Sequence, residues 1–190
     1  MPPLAHAQLL AAAKAFCDSF ARKKSLEEIL SHFSSSSPSS ASPSLASSTM
    51  EDGKAAGSRS EILVHEHGLP QLAPFLGRDF RGLEGARRYF ESVAACLSYE
   101  DMRFVEFVAD TSAEGKNGNE DDGGKVAVRG KARFTWKETG QSWDETFVYV
   151  LCFDARAKLK RYEVWADSGA AYLASRGELG GGSREREGHR

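Results

Sequence analysis

Two stretches of alternating hydrophobicity, 124–138 and 142–154, constrain the fold of this chain more than any other feature. Apolar side chains occupy every second position in each, which is the period of a β-strand with one buried face. These positions are Val126, Val128, Ala132, Phe134 and Trp136 in the first stretch and Trp143, Phe147, Tyr149, Leu151 and Phe153 in the second. A tight turn at Thr139-Gly140 predicts an antiparallel hairpin that pairs Trp136 with Trp143 and places both apolar sets on one face.

Two residues interrupt this apolar face. In the predicted register Glu145 lies opposite Phe134, and Gly130 lies opposite Tyr149. A carboxylate among aromatic rings must be neutralised, paired or solvated, because an ionised carboxylate is costly to bury. A glycine leaves room where a side chain would otherwise fill the core. The two residues together predict a hollow behind the sheet.

The last predicted strand, 158–167, has two different faces, and its periodicity leaves open which one borders the hollow. A turn of three to five residues around 154–157 would place Glu163 beside Tyr149 and Asp167 beside Glu145. A two-residue turn would direct these acids outward. One face carries Leu159, Arg161, Glu163, Trp165 and Asp167, and the other carries Lys160, Tyr162, Val164 and Ala166.

Helices dominate the amino-terminal half. Residues 4–22 and 83–98 show helical periodicity, and Ser25 with Glu28 forms a capping box that opens a short helix through Phe33. Strands are predicted at 61–67 and 100–110, so the order of elements indicates an α+β fold with helices packed on one face of a sheet. Asp18 falls on the polar side of the first helix, and we expect it to face water.

Composition predicts the domain limits. The serine-rich stretch 34–60 cannot bury enough apolar surface to offset its chain entropy, so we expect a disordered insertion. The glycine-rich and charged tail, 176–190, is expected to be flexible. Residues 1–175 would then form a single domain.

Several classes of function are disfavoured. A formal charge of −2 argues against binding of nucleic acid or an anionic membrane through bulk charge, and no apolar run reaches the length of a bilayer span. Three scattered cysteines without ligand spacing favour reduced thiols in the cytoplasm. No phosphate-loop or dinucleotide motif is present, so no cofactor is expected.

The sequence His65-Glu66-His67 has some, but not all, of the features of a metal site. Histidines two apart on a strand point the same way, but no third ligand follows at a recognisable spacing. Ile62 and Val64 would direct the histidines to the opposite face and Glu66 inward. We therefore expect no metal, and His65 is kept as an acid–base or hydrogen-bonding residue.

Three segments resemble the SnoaL-like, nuclear-transport-factor-2-like superfamily. They are 74–90, which contains Gly77, Gly82 and Gly85 before the third helix, the hairpin itself, and the closing segment from Phe153 to Asp167. The resemblance implies a cone-shaped fold in which N-terminal helices pack on a curved, mainly antiparallel sheet and enclose a pocket. Members of the superfamily include polyketide cyclases, dehydratases, ketosteroid isomerases and non-catalytic binding domains.

The resemblance also implies site residues. In catalytic members an aspartate near the end of the last strand works with a histidine on a neighbouring strand, and Asp167 matches that aspartate. This favours the arrangement with the Glu163 face inward. The neighbouring strand has no histidine, so Tyr149 is the expected donor. The predicted catalytic residues are Asp167, Glu163, Tyr149 and His65, and the predicted ligand-binding residues are Trp136, Trp143, Glu145, Phe147, Arg161, Trp165 and Tyr89.

Two functions remain open from the sequence. One is a cofactor-free isomerase, cyclase or dehydratase that acts on a small hydrophobic, carbonyl-bearing molecule. The other is a non-catalytic ligand-binding or protein-interaction domain of the same fold. Val148, Val150 and Cys152 share the outer face with a basic row, which makes that face too apolar to be fully solvated. Because relatives of the fold that this chain resembles often dimerise through the same face, a homodimer is expected.

Overall fold

The computed structural model describes residues 5–34, 62–111 and 122–180, which form four helices and six strands. In chain order these are α1 (His6–Ala21), α2 (Leu26–Leu30), β1 (Leu63–Glu66), β2 (Asp79–Arg81), α3 (Gly82–Cys96), β3 (Leu97–Asp110), β4 (Asp122–Trp136), β5 (Ser142–Asp154), β6 (Leu159–Trp165) and α4 (Ser168–Ser175). The predicted insertion lies outside the described residues except for Ser34. Helix α4 was not predicted.

The strands form one sheet in the order β2-β1-β6-β5-β4-β3. All neighbours are antiparallel except β1 and β6, which run parallel. Helices α1 and α3 pack on the face that carries the apolar positions of β4 and β5, called the inner face below. This confirms the predicted α+β architecture with N-terminal helices on a mainly antiparallel sheet.

The β4–β5 hairpin has the predicted faces but a different register. Phe134, rather than Trp136, pairs with Trp143. The turn is longer than predicted, because the Trp136 amide donates to the Gln141 carbonyl at 2.9 Å and the Gly140 amide donates to the Trp136 carbonyl at 2.8 Å. Four residues, 137–140, therefore lie between the hydrogen-bonded pair Trp136 and Gln141. The pairing moves by two residues, which changes partners but leaves each side chain on its predicted face.

Gly130 serves a different purpose from the one predicted. It pairs with Phe147, not Tyr149, and a Cβ atom at position 130 would lie 2.4 Å from the Phe147 ring. Glu145 pairs with Ala132 instead of Phe134. The space left by the glycine is thus filled by an aromatic ring, and the hollow lies elsewhere on the inner face.

A β-bulge in β6 reverses the predicted orientation of the last strand. Leu159 pairs with Phe153, but Cys152 pairs two residues further along β6, so Lys160 is an extra residue. Beyond the bulge the inner residues are Tyr162 and Val164, and the outer residues are Arg161, Glu163 and Trp165. The predicted inward orientation of these three outer residues is wrong.

The core joins α1 to the sheet through aromatic rings. Phe16 is fully buried and makes edge contacts with Phe20, Phe33 and Tyr162 at centroid distances of 5.1, 5.9 and 5.3 Å. Asp18 is exposed, as predicted. Within the described residues, no helix combines the length and the apolar character that a membrane span requires.

Candidate functional site

A cavity lies between the helices and the inner face of the sheet. Among its described lining residues only Asp167, at the start of α4, is exposed, which places the mouth beside α4. Its empty space, together with the open solvent at its mouth, is about 680 Å³. Ten aromatic side chains line it, so most of the surface offered to a ligand is apolar. The polar exceptions are few, and two of them are buried carboxyl groups.

Glu66 is the most deeply buried of these acids. It follows Val64 on the inner face of β1, as the alternation predicts, and it is only 8% exposed. The Tyr89 hydroxyl donates a hydrogen bond of 2.5 Å to Glu66 Oε2. Burial raises the pKa of Glu66 to about 7, the bond from Tyr89 opposes this, and the charge of Glu145 adds to it. This carboxyl group is therefore divided between its acid and base forms near neutral pH.

The loop after β1 holds the Glu66 backbone in place. The Gly77 amide donates to the Glu66 carbonyl at 2.8 Å. Gly77 has φ of +62°, and a Cβ atom there would lie 2.3 Å from the carbonyl oxygen of Gly68. Only glycine fits this approach, so the loop closes tightly over the end of β1.

Three tyrosines surround the same end of the cavity. The strand register places Glu66, Val164 and Tyr149 in one row across β1, β6 and β5. The Tyr162 ring makes edge contacts with those of Tyr149 and Tyr89, at centroid distances of 4.9 and 6.0 Å. Burial raises the pKa of all three phenols above the ordinary value, so they stay protonated and can donate hydrogen bonds.

Glu145 lies nearer the mouth and is held by two donors. Trp143 Nε1 donates to its Oε2 and the Asp167 amide donates to its Oε1, each at 2.6 Å. Burial raises the pKa of Glu145, the two hydrogen bonds lower it, and the charge of Asp167 raises it again. Glu145 thus connects β5 to the start of α4.

The Asp167 side chain caps α4. Its Oδ1 accepts a hydrogen bond from the Ala170 amide at 2.9 Å, and the residue is exposed at the cavity mouth. An N-cap carboxylate satisfies amides that would otherwise lack partners. Asp167 therefore borders the cavity, but its carboxylate has a structural partner.

Other predicted residues lie on the outer face, away from the cavity. His65 contacts Asp79 Oδ1 through Nδ1 at 2.9 Å. Glu163 lies 3.6 Å from His67 Nε2, and the His67 ring stacks on Trp165 at a centroid distance of 4.0 Å. The described residues contain no cluster of three or more His, Cys, Asp or Glu suited to a metal ion.

The structure brings six of the predicted residues to the cavity lining: Tyr89, Trp143, Glu145, Phe147, Tyr149 and Asp167. Trp136 is buried on the inner face without lining the cavity, and Arg161 is exposed on the outer face. Glu66 and Tyr162 were not predicted as site residues. Glu66 could have been found, because the alternation with Val64 already pointed it inward.

Comparison with known proteins identifies the fold. No protein-family model matches the chain, and no curated protein matches it by sequence. Solved structures do match. An NTF2-like protein of unknown function from Burkholderia pseudomallei has 13% identity and a TM-score of 0.59, covering 88% of this chain and 96% of that one. A ketosteroid isomerase-like protein from Erwinia carotovora atroseptica has 13% identity and a TM-score of 0.52, covering 85% and 95%.

A third match was crystallised with a ligand. It is a Mycobacterium tuberculosis protein in complex with estradiol-17β-hemisuccinate, with 11% identity and a TM-score of 0.51, covering 83% of this chain and 92% of that one. At such identities these similarities show the fold alone. They confirm the cone-shaped, nuclear-transport-factor-2-like fold that the resemblance implied.

Proposed function

From the nuclear-transport-factor-2-like fold of this chain and the acids in its cavity, we propose a cofactor-independent enzyme of the isomerase type. Its substrate is a small apolar ketone, and Glu66 is the general base. The observation that carries the proposal is a carboxyl group, 8% exposed, that faces an aromatic cavity and has a pKa of about 7. A base works best when its pKa is close to the working pH.

The reaction begins with removal of a proton next to the carbonyl group. Glu66 takes the proton, the C–H electron pair forms a carbon–carbon double bond, and the carbonyl becomes an enolate. Where the ketone also carries a β,γ carbon–carbon double bond, the enolate is conjugated with it, and protonated Glu66 returns the proton to the γ-carbon, which moves the double bond into conjugation with the carbonyl group. Cyclisation and dehydration begin with the same enolate, so the bound substrate decides among them.

The tyrosines hold the developing negative charge on oxygen. Tyr149 and Tyr162 are buried and protonated, their rings are in edge contact at a centroid distance of 4.9 Å, and both line the cavity. A phenol O–H placed in advance stabilises an enolate more than its parent ketone, because charge develops only in the transition state. Tyr149 thereby keeps the donor role that the sequence suggested.

The non-catalytic alternative is also supported by an observation. Glu145 is held by Trp143 and a backbone amide, and Asp167 caps a helix, so two of the three acids have structural roles. Such a cavity could bind an apolar molecule without changing it. The match to a protein crystallised with a steroid derivative supports a polycyclic apolar body for the ligand in either case, whereas the succinate carboxylate of that derivative has no cationic partner among the described lining residues here. A homodimer through the outer face remains part of this proposal, since Val148 and Trp165 are exposed there.

Proton exchange tests the proposal. The full chain is incubated with 2-tetralone in D₂O, and loss of the α-proton signals is followed by NMR. We expect exchange well above the buffer rate, and a fall of at least about 100-fold in Glu66→Gln. Glu163→Gln is the matched control, because the same substitution on the outer face leaves the cavity unchanged. The proposed catalytic function would be overturned if the exchange rate with the wild-type chain equalled the rate in buffer, or if the rate with Glu66→Gln equalled that with wild type.

A further inference from the structure

The charged groups of the cavity all have the same sign. Glu66, Glu145 and Asp167 line it, and none of the described lining residues is Lys, Arg or His. No basic side chain among the described residues contributes to the pKa of either buried glutamate. A carboxyl group buried without a cationic partner is costly to ionise. A ligand that enters this cavity therefore meets an acidic interior that no protein cation neutralises.

We propose that the cavity selects an apolar ligand that is uncharged or cationic and that presents a hydroxyl or protonated amine to Glu145. Ligands that carry a carboxylate or phosphate are rejected. This inference rests on the proposed function only in placing the ligand in the same cavity. It adds the charge class of the ligand and gives Glu145 the role of a specificity residue.

The positions of the two glutamates give the ligand a direction. Tyr149 shares a row with Glu66, whereas Glu145 lies four residues earlier on β5, about 13 Å along the strand. Glu66 and the tyrosines thus occupy one end of the cavity, and Glu145 occupies the end beside α4. A ketone carbonyl fits the tyrosine end, and a hydrogen-bond donor fits the end near the mouth.

Glu145 can accept a further hydrogen bond. Each carboxylate oxygen has two lone-pair directions, and one on each oxygen is used by Trp143 Nε1 and the Asp167 amide. These two contacts fix the carboxylate, so a ligand donor meets an acceptor that is already oriented. A ligand carboxylate would be repelled by the cavity acids, and no cationic side chain among the described lining residues would offset that repulsion.

Three naphthalene probes of similar size separate the charge classes. They are 2-naphthylmethylamine, which is cationic at pH 7.5, 2-naphthylmethanol, which is neutral, and 2-naphthoate, which is anionic. Binding to the full chain is measured by calorimetry, with wild type, Glu145→Gln and the outer-face control Glu163→Gln. We expect the amine and the alcohol to bind at least about tenfold more tightly than naphthoate to wild type. In Glu145→Gln the amine should weaken about tenfold while the alcohol changes less than about threefold.

Each outcome decides the proposal. Naphthoate that binds wild type as tightly as the alcohol would overturn the charge class, whether or not the variant folds. An amine-to-alcohol ratio equal in wild type and folded Glu145→Gln would overturn the role of Glu145. Failure of all three probes to bind at about 1 mM would overturn the ligand class together with the apolar pocket. If the protein does not accelerate exchange of 2-tetralone but still binds the amine and the alcohol more tightly than naphthoate, only the proposed catalytic function is overturned.

Discussion

Replacing Glu66 by Gln should change how stability depends on pH. The pKa of Glu66 rises from 4.5 in the unfolded chain to about 7 in the folded protein. At about 1.4 kcal/mol per pH unit, this difference corresponds to about 3 kcal/mol. Because the folded pKa is raised, the contribution is fully present below pH 4.5 and is lost as the pH rises through 7. Ionised Glu66 then destabilises the folded state.

Glutamine resembles the protonated acid in shape and cannot ionise, and its amide oxygen can still accept the bond from Tyr89. The free energy of unfolding of wild type should therefore fall relative to Glu66→Gln by roughly 2 to 3 kcal/mol between pH 5 and pH 8. Urea denaturation of both proteins at the two pH values measures this, and titrating groups that do not interact with Glu66 cancel in the comparison. A difference between the proteins that is the same at pH 5 and pH 8 would refute the raised pKa.

Three further substitutions test the surrounding structure. Gly130→Ala should cost about 1 to 3 kcal/mol in urea denaturation, because the new Cβ meets the Phe147 ring; unchanged stability would show that the ring moves freely. Asp167→Ala should cost about 1 kcal/mol and speed amide exchange in the first turn of α4, and protection equal to wild type would contradict its capping role. Trp143→Phe removes a donor to Glu145 and should raise the pKa of that carboxyl further in an NMR titration, whereas a lowered pKa would contradict the contact.

The sequence predicts which face of the sheet a side chain occupies better than it predicts the residue that pairs with it on the neighbouring strand. Side-chain alternation in β4 and β5 depends only on the local period of two, so the inward positions of Phe147 and Tyr149 were predicted correctly. Their partners depend on the turn, and two additional turn residues moved the register. Propensity does not distinguish a two-residue turn at Thr139-Gly140 from the four-residue turn that forms.

The predicted orientation of the last strand, β6, was wrong for a related reason. A single extra residue at Lys160 reverses every later side chain, and a β-bulge leaves no mark in a periodicity. A signal was nevertheless present, because Tyr162, Val164 and Ala166 form a more apolar face than the residues between them. Helix α4 was missed because its small residues give weak periodicity, and Asp167 was not recognised as the N-cap of a helix.

The pH dependence of proton exchange tests the role of Glu66 most directly. With 2-tetralone in D₂O, the exchange rate of the wild-type chain should rise with an apparent pKa near 7, because only ionised Glu66 accepts the proton. Glu66→Gln should show no such inflection, and Glu163→Gln should keep it. A wild-type profile that inflects near 4.5, or an inflection near 7 that survives in Glu66→Gln, would contradict the assignment of Glu66 as the general base.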